Sequence, residues 1–330
     1  MIIAVDAMGG DNAPYVVVQG AIQASAEEGI EVLLVGDSKA ISHSLKDVRI
    51  PDKIRIHHCD EAVLMEESPL KALRSKRDSS IMTAFDLLKR REVDAVVSAG
   101  NSGATMVAGI LKLGKIEGVE RPAIACMIPG EKGTVILLDV GGTVDCRPVH
   151  LLQFGLMADA FASACLGIDR PRSCLLSIGQ EAGKGNEQIR EAYNLLKESG
   201  INFIGNLEGG DVLTGNADIV ICDGFVGNIV LKMSEGVAES ISHKLKMELN
   251  GSITGRMLSL IGRNLFKRVN KTLDYAELGG APILGIKGVG IVCHGRSSSR
   301  AIKNAIIMAA KDVNNRVQER LSMRIAQLHE

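Results

Sequence analysis

The sequence has no tryptophan, and only six phenylalanines and three tyrosines among 330 residues. So few aromatics leave little surface for stacking bases. Charge of one sign is also missing, since 38 basic and 39 acidic side chains give a formal net charge of −1. A general nucleic-acid binder needs a basic footprint, so nucleic acid is excluded as a partner. Seven cysteines are an odd number and none stand as C-x-x-C. That argues against a disulfide scaffold and against a four-thiolate zinc site, and fits free thiols in a reducing cytosol. No basic segment followed by an apolar run opens the chain, so Met1 to Asp11 does not read as a signal peptide. The longest uncharged run, Ala95 to Leu111, carries three glycines. It falls short of the roughly 18 apolar residues of a membrane span. Linkers rich in proline or serine, internal repeats and low-complexity tracts are lacking as well. A chain that is 46% hydrophobic and 23% charged can bury a sizeable core. The expectation is a cytoplasmic globular protein with one large domain over 1–330.

What is present is glycine, at 36 residues, in a repeating position. Short β-branched runs end in glycine and a polar residue, and a helical stretch follows each. Ile2–Val5 reaches Asp6 and the turn Met8-Gly9-Gly10-Asp11-Asn12, where Asn12 can cap a helix. Val93–Ser98 reaches Gly100-Asn101-Ser102-Gly103, and Val135–Leu138 reaches Asp139-Val140-Gly141. Cys174–Ile178 reaches Gly183-Lys184-Gly185-Asn186, and Ile219–Cys222 reaches Asp223 and then Gly227-Asn228. Val289–Cys293 reaches His294-Gly295. Apolar strands alternating with helices predict a doubly wound α/β fold, with a mostly parallel sheet and helices on both faces. Ligands on such sheets bind beyond the carboxyl ends of the strands. Glycine-rich turns are also how such folds simply turn corners. Six of them carrying polar groups point to a shared crevice for an anion.

Several familiar chemistries are missing. G-Q-E-A-G-K-G-N at 179–186 is one residue too short for a P-loop and lacks the following Ser or Thr. G-x-G-x-x-G, G-x-S-x-G and H-E-x-x-H are absent, so neither a cofactor nor a metal is expected. H-x4-D, the general-base pair of membrane glycerol-phosphate acyltransferases, is absent too. Lys184 lies between glycines that permit close backbone approach to a ligand, though it also reads as a loop surface charge. Asn228 can cap the next helix or aim its amide at an oxyanion. His294 is a structural hydrogen-bonder or a site residue.

One stretch breaks the rhythm. From Gly227 to Thr272 the pattern is helical, and 235–272 is expected to protrude. Residues 249–273 include Arg256, Arg263, Lys267, Arg268 and Lys271 and no acid. Ile253, Met257, Leu260, Ile261 and Leu265 mark one helical face. The segment reads as a helix packed on the body, or as contact with an anionic membrane surface or an acidic protein.

The opening Ile3-Ala-Val-Asp6-Ala-Met-Gly-Gly-Asp11-Asn-Ala-Pro14 resembles the N-terminal signature of the bacterial acyl-carrier-protein:phosphate acyltransferase family, PlsX. Ser98 to Ala104, Leu138 to Gly141, Lys184 to Glu187, Asn202 to Asn206, Thr214 to Asn228, Gly279 to Ala281 and His294-Gly295 resemble it in the same order. The chain departs from the family pattern at Gly142-Thr143 and at 296–299. The resemblance implies a fold similar to isopropylmalate dehydrogenase and phosphate acetyltransferase. It implies transfer of a long fatty acyl group from acyl carrier protein to inorganic phosphate, by a homodimer that is cytoplasmic and meets membranes peripherally. Phosphate is already an anionic nucleophile, so no Ser or Cys nucleophile is required. On this reading Lys184 supplies charge and Asn228 contacts the oxyanion or phosphate. Asp6, Gly9, Gly10, Asp11, Asn101, Ser102 and Gly103 would line the phosphate pocket. Asp139, Gly183, Gly185, Asn186, Asp223, Gly227 and His294 would complete it. Two rivals remain: a nicotinamide-dependent hydroxy-acid dehydrogenase whose metal is held by Asp139, Asp145 and Asp223, and a non-catalytic scaffold joining carrier protein to membrane.

Overall fold

The computed structural model describes residues 1–46, 51–251 and 279–328. The first half runs β1 (Ile2–Asp6), α1 (Tyr15–Glu28), β2 (Glu31–Gly36), α2 (Ser38–Ser44), β3 (Ile54–His58), α3 (Pro69–Ser75), α4 (Ser80–Lys89), β4 (Ala95–Ser98), α5 (Ser102–Leu113), β5 (Ala123–Gly130) and β6 (Gly133–Leu138). The second half runs α6 (Pro148–Phe161), β7 (Ser173–Ser177), α7 (Glu187–Glu198), β8 (Phe203–Glu208), β9 (Ile219–Ile221), α8 (Gly224–Gly251), β10 (Ala281–Leu284), β11 (Val289–Val292) and two helices here numbered α9 (Ser299–Asn314) and α10 (Val317–Ala326). The strands β4, β9 and β11 are buried along their whole length, which is why they read as unbroken apolar runs. Helix α6 is apolar all round for the same reason: nearly all of it is buried.

The strands form one sheet of eleven, ordered β3-β2-β1-β4-β11-β10-β5-β6-β9-β7-β8. Strands β3, β2, β1, β4 and β11 are mutually parallel, and so are β6, β9, β7 and β8. Between the blocks, β10 is antiparallel to β11 and to β5, and β5 is antiparallel to β6. Three successive reversals make the two parallel blocks run in opposite directions. Their registers are offset so that the carboxyl ends meet. Ala281 pairs with Val292, Ile283 with Ile124, and Leu138 with Ala125. The last residue of β6 therefore lies level with the last turn of pleat in β11. Two walls of strand ends face one another across the middle of the molecule.

This geometry sharpens the expected parallel sheet. The rhythm of the sequence does not pick out β5, β8 and β10, although Gly130 ends β5 and Gly209-Gly210-Asp211 follows β8. Asn12 does not cap α1, because the helix begins at Tyr15 with Pro14 in the cap position and no side-chain cap. Asn12 instead accepts a hydrogen bond from Val16 N–H through its backbone carbonyl, at 3.2 Å. The expected protrusion at 235–272 begins inside α8, and residues 252–272 lie outside the described residues.

Candidate active site

One wall is built by the ends of β1, β4 and β11, which are sheet neighbours. Asp6 ends β1 and is buried. Its carboxyl accepts a 2.7 Å hydrogen bond from Ser98 Oγ and one from Met8 N–H at 3.2 Å. Ser98 Oγ in turn accepts from Gly100 N–H at 3.0 Å. Burial pushes the Asp6 carboxyl above the ordinary range, against these hydrogen bonds. Gly9 lies so close to Gly100 that a Cβ there would stand 2.6 Å from the Gly100 nitrogen. The next turn is fixed by Asp11 N–H, which donates to the Gly295 carbonyl at 2.9 Å. The loops after β1, β4 and β11 are thus tied into one surface.

Asn101 caps α5, accepting from Ala104 N–H at 3.0 Å. Its amide donates to the carbonyls of Met65 and Glu67 at 2.9 and 3.1 Å. The Asn101 side chain is therefore committed to holding the loop at 65–67. Ser102 and Gly103 form the first turn of α5, and the Asn101 side chain accepts from neither of their N–H groups. Such an N-terminus favours an anion. His294 Nδ1 accepts from Arg296 N–H at 3.2 Å, which leaves the proton of the neutral ring on Nε2.

The opposite wall is built by the ends of β6, β9 and β7. Asp139 is fully buried after β6. Its carboxylate accepts from Ile124, Gly142 and Thr143 N–H at 2.9, 3.0 and 2.6 Å. Burial still pushes its pKa up to about 6. Asp223 caps α8 by accepting from Val226 N–H at 2.8 Å. Both Asp139 and Asp223 are thus engaged by backbone N–H groups, as anchors of their loops. A Cβ at Gly227 would collide with the Asp139 carbonyl oxygen, so the glycine allows α8 to dock on this loop. Because Asp223 is the cap, Asn228 is one turn inside α8 and its amide is available to the crevice. Farther out, Asn186 caps α7 by accepting from Ile189 N–H at 2.9 Å. Gly183 and Lys184 are exposed and Gly185 is half-buried.

A cavity of about 130 Å³ joins the inner parts of both walls. Ser102 and His294 reach it from one side, and Val140 and Asn228 from the other. Strand β5 and the segment 279–281 floor it with Ile124, Cys126 and Ala281. Lys184 is not among its lining residues. Strand order places Lys184 on the outer part of its wall, after β7, as the Gly9–Asp11 turn is on the outer part of the other. Two charged groups that sequence reading passed over do line the cavity, Lys232 and Glu235. The signal for Lys232 was present: it is four residues after Asn228, on the same helical face. Residues 253–268, expected to contact membrane or carrier protein, lie outside the described residues.

Comparison with known proteins gives a consistent result. A family described as "Fatty acid synthesis protein" matches residues 1–320. A phosphate acyltransferase of Syntrophotalea carbinolica is 51% identical over 330 residues, covering 99% of this chain and 94% of that protein. One from Nitratidesulfovibrio vulgaris is 49% identical over 322 residues, covering 97% and 93%. Among solved structures, a phosphotransacetylase from Streptococcus pyogenes superposes with a TM-score of 0.63 at 18% identity, covering 95% of this chain and 94% of that one. That likeness is one of fold.

Proposed function

This chain belongs to the phosphate acyltransferase family, and from that premise we propose that it moves a long-chain fatty acyl group from acyl carrier protein to inorganic phosphate. The observation that carries the reading is the cavity where Ser102, Asn228 and His294 meet at the N-terminus of α5. Phosphate sits against the Ser102 and Gly103 N–H groups, where the helix end stabilises its charge. One phosphate oxygen attacks the thioester carbonyl carbon. The carbonyl oxygen becomes an oxyanion, met by the Asn228 amide and the His294 Nε2–H. Collapse breaks the C–S bond and the thiolate leaves with the carrier protein. A thiol has a reference pKa near 8.5, so it departs with little acid assistance. Acyl phosphate for phospholipid synthesis remains. No covalent enzyme intermediate is required, because holding the two reactants together turns a bimolecular step into an effectively unimolecular one.

Lys184 supplies charge from the outer part of the second wall. In the dehydrogenase reading, Asp139 and Asp223 would hold a metal, and both carboxylates here anchor backbone N–H groups instead. We further propose a cytoplasmic homodimer with peripheral membrane contact. Exposed Phe225, Ile229, Met233, Val237, Ile241 and Leu245 recur every four residues along α8, which supports a helix that a second copy covers. The basic segment 249–273 supports the membrane part, from sequence alone.

The test is formation of acyl phosphate from palmitoyl carrier protein with and without inorganic phosphate. Phosphate-dependent product is expected. Turnover without phosphate, or an absorbance change with a nicotinamide cofactor and a hydroxy acid, would overturn the reading.

A further inference from the structure

The sheet has a gap beside the cavity. Strand β10 pairs with β5 only at Ile283↔Ile124 and Leu284↔Ala123, while its pairing with β11 continues to Ala281↔Val292. Beyond Ile124, β5 keeps its partner β6 on one side but has none among the described residues on the side of β10. Cys126 and Met127 border this gap, facing Gly279 and Gly280. Successive residues of a strand point to opposite faces. Cys126 packs with the core on the α5 side, and Met127 with the core around α6. Both line the same cavity, so the cavity passes through the plane of the sheet.

Met127 also lines a second cavity, of about 250 Å³, on the far face. Phe161, Leu166, Ile307 and Met308 give that cavity apolar walls. The two cavities abut: a Cβ on Gly279 would stand 2.9 Å from Met308 Cε. One face of α9 runs beside both, with Ala301 in the first and Asn304, Met308 and Lys311 in the second. At 1.5 Å per residue, Ala301 to Lys311 spans about 15 Å, the scale of a long alkyl chain. At the far end the buried Asp312 is hydrogen-bonded by the Cys165 thiol at 2.9 Å, so its carboxyl has a partner beside the apolar wall.

We propose that the fatty chain of the substrate threads the gap between β5 and β10 and ends in the groove between α9 and Phe161–Leu166, so that Met308, Met127 and Thr134 set chain length. The proposal rests on the acyl-transfer reading, and it adds where the chain goes. A thioester held near Asn228 and His294 has its carbonyl at the polar mouth and its tail in apolar surroundings, where burial of each methylene favours binding.

Two half-buried positions in the second cavity test it, each filled by a larger side chain: Met308→Trp and Thr134→Phe. Rates with palmitoyl and octanoyl carrier protein are compared. The palmitoyl-to-octanoyl ratio of kcat/KM should fall at least about tenfold in each variant, since one methylene in a tight pocket is worth that much. Octanoyl turnover should stay near wild type. An unchanged ratio in Thr134→Phe overturns the proposal, also where Met308→Trp fails to fold. A second readout needs no turnover: palmitic acid carrying a terminal diazirine is photolysed with the wild-type protein and the labelled peptides are mapped. Label on 161–166 or 304–311 is expected, and label elsewhere alone overturns the channel. Label there in a protein that makes acyl phosphate from neither carrier would support the channel and sink the acyl-transfer reading.

Discussion

The two walls of the crevice are made by the same device and end in different states. Each begins with a strand that ends in a buried aspartate, Asp6 after β1 and Asp139 after β6. Each aspartate gathers the N–H or O–H groups of neighbouring loops. In the first wall the tying goes all the way across, through Ser98, Gly100 and the Asp11–Gly295 hydrogen bond. What it offers a ligand is mostly backbone N–H, at the start of α5. The second wall is tied only near its centre, where Asp139 clamps the loop at 142–143 and Gly227 packs against it. Its outer loop is held by the Asn186 cap and by side-chain bonds at its edges: Asn206 Nδ2 to the Glu181 carbonyl at 2.9 Å, Arg190 Nη1 to the Gly185 carbonyl at 2.8 Å and Gln180 Nε2 to the Asp211 carboxylate at 3.3 Å. What it offers is side chains: Asn228, Lys232 and Lys184. A rigid cradle opposite an adaptable wall suits a reaction that fixes a small anion and admits a bulky thioester.

The largest effect should come from removing the two side chains of the adaptable wall to which the proposed reaction gives a role. Lys184→Ala and Asn228→Ala should each lower kcat by about 10²–10³, the cost of removing one preorganised donor or charge from an oxyanion-type site. Thermal unfolding should change little, since neither side chain braces a loop. Steady-state rates beside melting curves check this. Near-normal turnover in Lys184→Ala would move the outer loop out of the site and leave the inner cavity as the whole of it.

Much of that comparison was legible in the sequence, for physical reasons. Buried strands must be apolar, so six of the eleven stood out as β-branched runs. Glycine at strand ends marked both walls. Other features were not legible. β5 and β10 reverse the sheet, yet reversal leaves no mark on hydrophobic pattern. Nor does pattern show that two parallel blocks run head to head, because that depends on pairing between strands more than 100 residues apart, such as Ile283 with Ile124. Which polar residues are braces and which face the ligand was equally hidden. Asp6, Asn101, Asp139 and Asp223 share composition with the ligand-facing residues, and only their backbone partners separate them. Lys232 was missed because a lysine on a long helix looks like a solvated face.

The braces themselves can be tested by pH. A carboxyl whose pKa is raised by burial keeps its proton in the native state after the unfolded chain has lost it. Stability from such a group is complete below the ordinary aspartate pKa of about 4 and is lost as pH rises toward the native value. For Asp139 that native value is about 6. Wild type should therefore lose up to about 3 kcal/mol relative to Asp139→Asn between about pH 4 and pH 7. Taking the difference removes His150, whose lowered pKa works with the opposite sign. Denaturant unfolding across that range measures it. A wild-type advantage that grows with pH would mean that the three N–H groups on Asp139 outweigh its burial, and that this wall is braced by a full charge.

The smallest effect should come from Lys232. It lines the inner cavity and would be the nearer cation if position alone decided the matter. But Glu235, three residues on, shares that cavity, so the pair brings little net charge to a bound anion. Lys232 is also exposed, and exposed charges are screened by salt and solvent. Lys232→Ala should raise the KM for phosphate by no more than about tenfold, an effect of about 1.4 kcal/mol that shrinks as ionic strength rises. Glu235→Gln should lower the same KM, because it leaves Lys232 unopposed. Opposite signs in the two variants would identify a paired, tuning charge. A collapse of kcat in Lys232→Ala beside a mild Lys184→Ala would reverse the two walls' roles, putting the essential cation at the centre of the crevice and leaving the glycine-flanked lysine at its rim.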